Sequence, residues 1–264
     1  MPSTCCAHDT PIEEGHARHA AGYRPLPVIV DTPGEPMLTT ILYAAGASLP
    51  LAAGALVGVR WEPPKRLVAA ALAFAAGALI VSTSFELFEP AYEGGGPWRA
   101  GIAMALGALV FVVADTYLDR RTAGSAAGLA LLAGVTLDGI PENTALGVSL
   151  NEAASIALLV AVFASNFPEA LAGARTMRDN GRSPRFVVTV WCAATVLLAG
   201  AVFAGRYLFA GVGPTGLSYP LAFAGGAVLA SVVDTLAPEA FGDGGPTIAL
   251  ASAAGFLTGF MLSL

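Results

Sequence analysis

Long apolar runs separated by short polar joints dominate the chain after residue 36. Each run holds roughly 20 residues or more, the length that an α-helix needs to cross the apolar layer of a bilayer. Helices are expected because lipid cannot satisfy the backbone groups of an open strand. The eight predicted membrane-spanning helices are 37–59, 66–90, 98–118, 123–149, 152–178, 185–209, 217–241 and 246–264.

This pattern predicts an all-α, polytopic membrane protein whose single transmembrane domain covers residues 37–264. Residues 1–36 are polar and rich in proline, which predicts a disordered tail. Glycine and proline clusters mark the joints at 62–64, 94–97, 180–184 and 242–246. A further joint, 119–122, separates the third predicted helix from the fourth.

Basic residues are unequally divided between the two sides of this predicted bundle. The joints after helices one, three, five and seven hold nine lysine and arginine residues, whereas the opposite side and the tail together hold four. Cytoplasmic joints carry the excess of lysine and arginine in membrane proteins. We therefore expect a multi-pass protein of the plasma membrane with both termini outside the cell.

An internal repeat relates the second predicted helix to the seventh. Residues 73–97 match residues 222–246 without gaps, and the match extends into a shared Gly-Gly-Pro joint. The two helices are an odd number of spans apart, so they run in opposite directions and form an inverted repeat, as in many secondary transporters. Helices four and five also resemble each other, which predicts a 3 + 2 + 3 arrangement. The alternative is chance similarity between alanine- and glycine-rich helices.

Composition narrows the class further. The chain is 55% hydrophobic and 12% charged, whereas a soluble domain carries about 25% charged residues. Its net charge of −6 excludes a nucleic-acid partner, which would require a basic face. The three cysteines imply no disulfide framework, and the N-terminal region shows no apolar signal-peptide core.

Two prolines followed by glutamates stand in the middle of helices four and five. Pro141 and Pro168 remove backbone donors, which should free the carbonyls of Leu137 and Ala164 to line a polar cavity. The acidic residues around the prolines share helix faces, since they are three or four positions apart. The candidate metal ligands are Asp138, Glu142, Asn143, Asn166 and Glu169.

Ionised groups at this depth are costly and usually mark an ion or substrate path. Three clustered carboxylates repel one another unless a cation or protons neutralise them. A divalent cation would neutralise them directly, and a hydrogen-bonded network of protonated acids is the structural alternative. Further acids could form vestibules along a pathway, although some could equally cap helix ends. They are Glu86 and Glu89 on helix two, Asp234 and Glu239 on helix seven, and Asp115 on helix three.

These motifs resemble the ZIP (Zrt/Irt-like protein) family of metal transporters over residues 37–264. In that family the fourth helix typically reads His-Asn-x-Pro-Glu-Gly, and residues 138–143 here read Asp-Gly-Ile-Pro-Glu-Asn. The fifth typically has a histidine or glutamine, a polar residue and then x-Pro-Glu, and residues 165–169 read Ser-Asn-Phe-Pro-Glu. The resemblance implies uptake of a divalent metal as transported substrate, with no catalytic cofactor. Its implied ligands are Asp138, Glu142, Asn166 and Glu169.

The chain departs from the family pattern in its lack of membrane histidines, which indicates a divergent branch. All three histidines lie in the tail, Gly139 replaces a polar family residue, and the candidate polar groups of helix six are Cys192 and Thr195. Oxygen ligands suit manganese, magnesium and calcium, while zinc favours imidazole and thiolate. The family makes zinc the first expectation, with manganese, iron and other divalent ions kept open.

Other functions remain as alternatives. The same carboxylates could relay protons in a transporter of a small organic molecule, or the chain could be an inactive ZIP relative. An enzyme is not expected, because a membrane serine or metal protease would need a membrane histidine and the Gly-x-Gly-Asp pattern of membrane aspartyl proteases is absent. The tail's Cys5, Cys6, His8, His16 and His19 could capture metal, but a solvated tail is the simpler interpretation. The expected partners are the metal ion and the lipid bilayer, and a homodimer is left open.

Overall fold

The computed structural model describes residues 35–122, 127–151 and 154–264. The predicted tail lies outside these ranges up to residue 34, as do its cysteines and histidines. The first residues of the fourth and fifth predicted spans, 123–126 and 152–153, are also outside them.

The described chain is a bundle of α-helices without strands. Its nine α-helices are α1 (Glu35–Gly58), α2 (Lys65–Ser82), α3 (Glu89–Thr122), α4 (Ala127–Ser149), α5 (Ile156–Asp179), α6 (Pro184–Leu208), α7 (Pro214–Ser231), α8 (Ala237–Gly244) and α9 (Ala249–Leu262). A π-helical segment, Thr83–Phe88, joins α2 to α3, and a second, Val232–Leu236, joins α7 to α8. A 3₁₀ turn, Pro246–Ile248, leads into α9. The prediction of an all-α protein is confirmed.

Five stretches of the described chain are long and apolar enough to cross a membrane, which supports the membrane class. They are Met37–Gly58, Lys65–Leu118, Ile156–Asp179, Pro184–Leu208 and Pro214–Gly244. The stretch Lys65–Leu118 has 54 residues, far more than the roughly 20 that one span requires. Its helical path is broken once, at Gly96.

The sequence repeat reappears in the backbone. Helices α2 and α7 have 18 residues each, begin 149 positions apart and continue into π-helical segments. Gly96 has φ 76° and ψ 170°, and Gly245 has φ 66° and ψ −165°. A positive φ favours glycine, which has no Cβ, and a proline follows each of these two residues. The repeated Gly-Pro pair therefore produces the same turn twice.

Two predicted joints prove to be largely helical. Helix α3 continues through 119–122, so the prediction that this segment is a joint is wrong. The segment contains neither glycine nor proline, and its two arginines favour helix. At 94–97 the helix departs from helical geometry only at Gly96.

Close contacts through glycine bring α4 against α6. A Cβ on Gly147 would overlap the backbone carbonyl of Val202, and one on Gly205 would overlap the carbonyl of Thr144. Small residues of this kind let membrane helices approach closely. These contacts hold α6 against α4, the helix that carries three of the predicted ligands.

The α3–α7 and α2–α9 pairs repeat this type of packing. A Cβ on Gly107 of α3 would overlap the carbonyl of Phe223 on α7, and one on Gly255 of α9 would overlap the carbonyl of Phe74 on α2. Phe74 and Phe223 are themselves 149 positions apart. The two repeated segments therefore present the same backbone position to their neighbours.

Ion pairs gather three joints at one end of the bundle. Lys65 Nζ lies 3.7 Å from Asp243 Oδ1, and Arg175 Nη2 lies 3.2 Å from Glu62 Oε2. Most of these side chains are exposed, so each pair adds little stability. Their value is positional, since they join the segment after α1 to the ends of α5 and α8.

Candidate metal site

A small cavity lies between α2, α4, α5, α7 and the π-helical segment that follows α7. Its volume for a water-sized sphere is about 10 Å³, close to the minimum that one water molecule requires. The cavity is lined by Leu79, Asp138, Glu142, Ser165, Glu169, Val228, Ser231, Val232 and Leu236. Apolar side chains from α2 and α7 thus face polar side chains from α4 and α5.

Three of the predicted ligands meet at this cavity. Asp138 and Glu142 are one helical turn apart on α4, and Glu169 comes from α5. Glu142 is 5% exposed and Glu169 is 7% exposed, while Asp138 is half-buried. Both helices continue through their prolines, Pro141 and Pro168. The Pro-Glu pairs therefore put one glutamate from each helix into the same cavity.

Asp138 is held from the opposite side by α7. The hydroxyl of Ser231 donates a hydrogen bond of 2.5 Å to Asp138 Oδ2. The hydroxyl of Thr235 lies 3.3 Å from the Ser231 hydroxyl and donates to the Ser231 carbonyl at 2.7 Å. A hydroxyl hydrogen bond to a carboxylate is among the stronger kinds. One oxygen of Asp138 is therefore engaged by the protein itself.

Glu142, unlike Asp138, has a carboxylate oxygen without a hydrogen-bond partner. Its Oε1 atom is buried and has no hydrogen-bond partner among the described residues. Leaving a buried polar atom unsatisfied costs about 1–3 kcal/mol, and more for a charged group. Buried polar groups in folded proteins are normally paired. A cation or a proton bound at this oxygen would therefore remove the cost of leaving it unpaired.

The two predicted amide ligands use their nitrogen atoms in hydrogen bonds away from the cavity, whereas Asn143 Oδ1, the atom that would bind a metal, is buried without a partner among the described residues. Asn143 is fully buried and donates from Nδ2 to the carbonyl of Gly139 at 2.8 Å. Asn166 donates from Nδ2 to the carbonyl of Ala47 on α1 at 2.7 Å. Neither residue contributes to the described cavity lining, so their role as ligands stays a prediction.

The described cavity lining includes none of the five predicted pathway acids. Asp115 is buried, Glu86 and Glu239 are half-buried, and Glu89 and Asp234 are exposed. Asp115 is close enough to Asp138, and Glu239 to Glu169, for their charges to interact.

The carboxylates line one cavity without converging on a point. In the ranges that the structure describes, no three His, Cys, Asp or Glu side chains are grouped closely enough to hold a metal ion. The arrangement is an acidic pocket rather than a preformed coordination sphere. An ion that used all three carboxylates would have to draw them together.

Sequence reasoning missed the serines of the cavity. Ser165 is 2% exposed and donates to the carbonyl of Val162 on its own helix, and Ser231 bridges to α4. The only sequence signal for Ser231 is that it stands 149 positions after Ser82, just before the repeated π-helical segment. Serine is common in membrane helices, so this signal was too weak to single it out.

A scan against protein-family models finds no family that matches the chain, and a search of curated proteins finds no matching sequence. The case for a function therefore depends on the chain's own residues. The apolar helices support the membrane class. The acidic cavity is the feature from which a function can be argued.

Proposed function

We propose that the chain is a ZIP-like transporter of divalent metal ions with eight membrane spans in a 3 + 2 + 3 inverted arrangement. Zinc is the first candidate ion, with manganese, iron and other divalent ions as further candidates. In this proposal both termini are outside the cell, and the ion moves into the cytoplasm through the cavity between α4 and α5.

The eight-span topology is supported by the turns at Gly96 and Gly245. Gly96 divides Lys65–Leu118 into two stretches of about 30 and 22 residues, each sufficient for a span. Gly245 separates Pro214–Gly244 from the shorter apolar stretch Pro246–Leu262. With α1, α5 and α6, these four stretches make seven. Helix α4, which has 23 residues and is not among the five most apolar stretches, is proposed as the eighth span.

The inverted arrangement is supported by the contacts between ends. Eight alternating spans put the joints after spans one, five and seven on one side of the membrane. The ion pairs of Lys65 with Asp243 and of Arg175 with Glu62 lie between such joints. The nine basic residues predicted on this side favour a cytoplasmic location.

The observation that carries the function is the unpaired, buried Glu142 Oε1 in a cavity that also receives Asp138 and Glu169. Three carboxylates in so small a space favour a cation as occupant, because opposite charge stabilises their ionised form. A cavity of about 10 Å³ suits a single ion or water molecule. The cavity would have to open further for an organic substrate than for an ion, which favours metal over the proton-coupled alternative.

The protein's contribution is to supply hard oxygen ligands at the meeting point of two helices. Glu142 and Glu169 would bind the ion, and Asp138 would bind it through lone pairs that the Ser231 hydrogen bond does not use. Carboxylate oxygens accept manganese and magnesium readily, whereas zinc is usually held by nitrogen or sulfur. A site of this composition should therefore discriminate weakly between zinc and manganese.

Uptake into vesicles that contain a metal-sensitive dye tests the proposal. Wild-type protein should admit zinc or manganese, and Glu142→Ala and Glu169→Ala should each abolish the flux while the folded protein remains in the membrane. Glu93→Ala is the matched control, because Glu93 is an exposed glutamate outside the cavity. Control-like flux in Glu142→Ala would overturn the site assignment.

The same vesicles separate the other functions. A wild-type protein that moves protons with an organic solute and no metal would support the proton-coupled alternative. Folded wild-type protein that moves none of the tested ions or solutes would indicate an inactive relative.

A further inference from the structure

Ser231 has a feature that separates it from the other buried serines. It is 2% exposed, lines the acidic cavity, and spends its only hydroxyl proton on Asp138 of another helix. The nearby Thr235 hydroxyl donates to the Ser231 carbonyl, so its proton is already engaged. The Ser231–Asp138 bond is thus a direct link between α7 and the carboxylates of α4.

We propose that Ser231 is the positioning residue that holds Asp138 in the orientation required for cation binding, an inference that rests on the proposed transport function. An ionised carboxylate has about four lone-pair sites, and Ser231 occupies one of them. Lone pairs of the Asp138 carboxylate that the Ser231 hydrogen bond does not use can accept an ion, and the hydrogen bond fixes the direction of the carboxylate. Ser231 therefore acts through Asp138 and orders the ligand before the ion arrives.

The repeat supplies a natural comparison. Ser82 stands 149 positions before Ser231, and each serine is the last residue before a π-helical segment. Ser82 is fully buried, and its hydroxyl has no partner among the residues described. It is also outside the cavity lining. The same residue in the same backbone context thus engages a carboxylate in one copy and not in the other.

A π-helical segment begins directly after Ser231. A π-helical turn is a rare irregularity that often marks functional sites in helices. Here the regular α7 ends at Ser231, and Val232 and Leu236 of the following segment line the same cavity as Asp138. Ser231 is therefore the last residue of α7 before a segment that lines the cavity.

Removal of the hydroxyl should weaken ion binding without stopping transport. The loss of a residue that orients a metal ligand typically reduces affinity by about 10–100-fold. We expect Ser231→Ala to raise the KM for the transported ion by about that factor, with a much smaller change in maximal flux. Ser231→Thr keeps the hydroxyl and should restore most of the affinity. Ser82→Ala removes an equally buried hydroxyl and should leave the KM near the wild-type value.

Thermal unfolding of the metal-free protein gives a second readout that does not depend on transport. Ser231→Ala should lower the Tm in the wild-type background and have little effect in an Asp138→Ala background, because the bond is already lost there. If Ser231→Ala does not fold, Ser231→Thr and Ser231→Val replace it in both assays, since they have the same shape and differ in the hydroxyl.

The outcomes separate this inference from the proposed function. A raised KM in Ser231→Ala, together with non-additive Tm changes, supports the positioning role. A KM equal to that of Ser82→Ala, or additive Tm changes, overturns it even if the wild-type protein transports metal. Non-additive Tm changes in a protein that moves no metal support the Ser231–Asp138 link and overturn transport instead.

Discussion

Glu142 offers the most informative single substitution, because its carboxylate should lower the stability of the metal-free protein and raise the stability of the ion-bound protein. Glu142→Gln keeps the shape of the side chain and replaces a carboxylate oxygen with an amide. In the metal-free protein this removes one of three neighbouring carboxylates and with it the repulsion between that carboxylate and the other two. We therefore expect the metal-free variant to be at least as stable as the wild-type protein.

The ion-bound protein should respond in the opposite way. A ligand that binds only the folded state at 100 times its Kd adds about 2.7 kcal/mol of stability. A hydrogen bond or contact to a charged group contributes about 1.5–3 kcal/mol, and each 1.4 kcal/mol is about a tenfold change in Kd. At the same ion concentration, the stabilisation of Glu142→Gln should fall to about 1.4 kcal/mol or less.

The assay is thermal unfolding in detergent with and without zinc or manganese, at a fixed ion concentration near 100 times the wild-type Kd. Glu93→Gln is the control, since it makes the same chemical change at an exposed position and should keep the full ion-induced shift. A full ion-induced Tm shift in Glu142→Gln would refute the reasoning, because the ion would then not depend on the Glu142 carboxylate. A metal-free variant much less stable than wild type would refute the repulsion argument.

Three further predictions test selectivity, topology and packing. Asp138→His should favour zinc over manganese and make uptake more sensitive to pH between about 5 and 8, which ion competition at several pH values would detect. In a variant without native cysteines, a cysteine at position 10 should react with an impermeant reagent in intact cells and one at position 182 should not, and the reverse pattern would invert the orientation. Gly147→Ala should cost about 1–3 kcal/mol by overlap with the Val202 carbonyl, whereas Gly200→Ala, with no described atom within 4 Å of the new Cβ, should be tolerated in the same unfolding assay.

The helices were predictable because the membrane imposes a simple rule on sequence. A run of about 20 apolar residues is read directly as a helix, and the sequence therefore indicates the all-α class. The ends of the helices were harder to predict from the sequence. The arginine-rich segment 119–122 has the polarity of a joint but the propensity of a helix, and α3 contains it. The π-helical segments Thr83–Phe88 and Val232–Leu236 carry no local signal that distinguishes them from ordinary helix.

The cavity was predictable in part for a related reason. The i to i+4 spacing puts Asp138 and Glu142 on one face of α4 by helix geometry alone, and the Pro-Glu pair on α5 points to Glu169. Spacing within a helix does not state which neighbour that face meets. The sequence therefore gave no means to see that Asn166 faces α1 or that Ser231 faces Asp138.

The repeat and the site differ in a way that bears on how an ion would be held. The backbone is duplicated closely, as the turns at Gly96 and Gly245 show, but the polar side chains near the cavity are not. Asp138 on α4 is matched in sequence by Ser165 on α5, and Ser165 donates to its own helix rather than offering a charge. The α4 half thus carries two of the three carboxylates, one of which is held by α7. If the cavity binds a cation, the two halves cannot bind it equally, because a bound ion would lie nearer α4. A movement of α7 that broke the Ser231–Asp138 bond would then loosen the ion far more than an equivalent movement of α2, whose Ser82 contacts no carboxylate among the described residues.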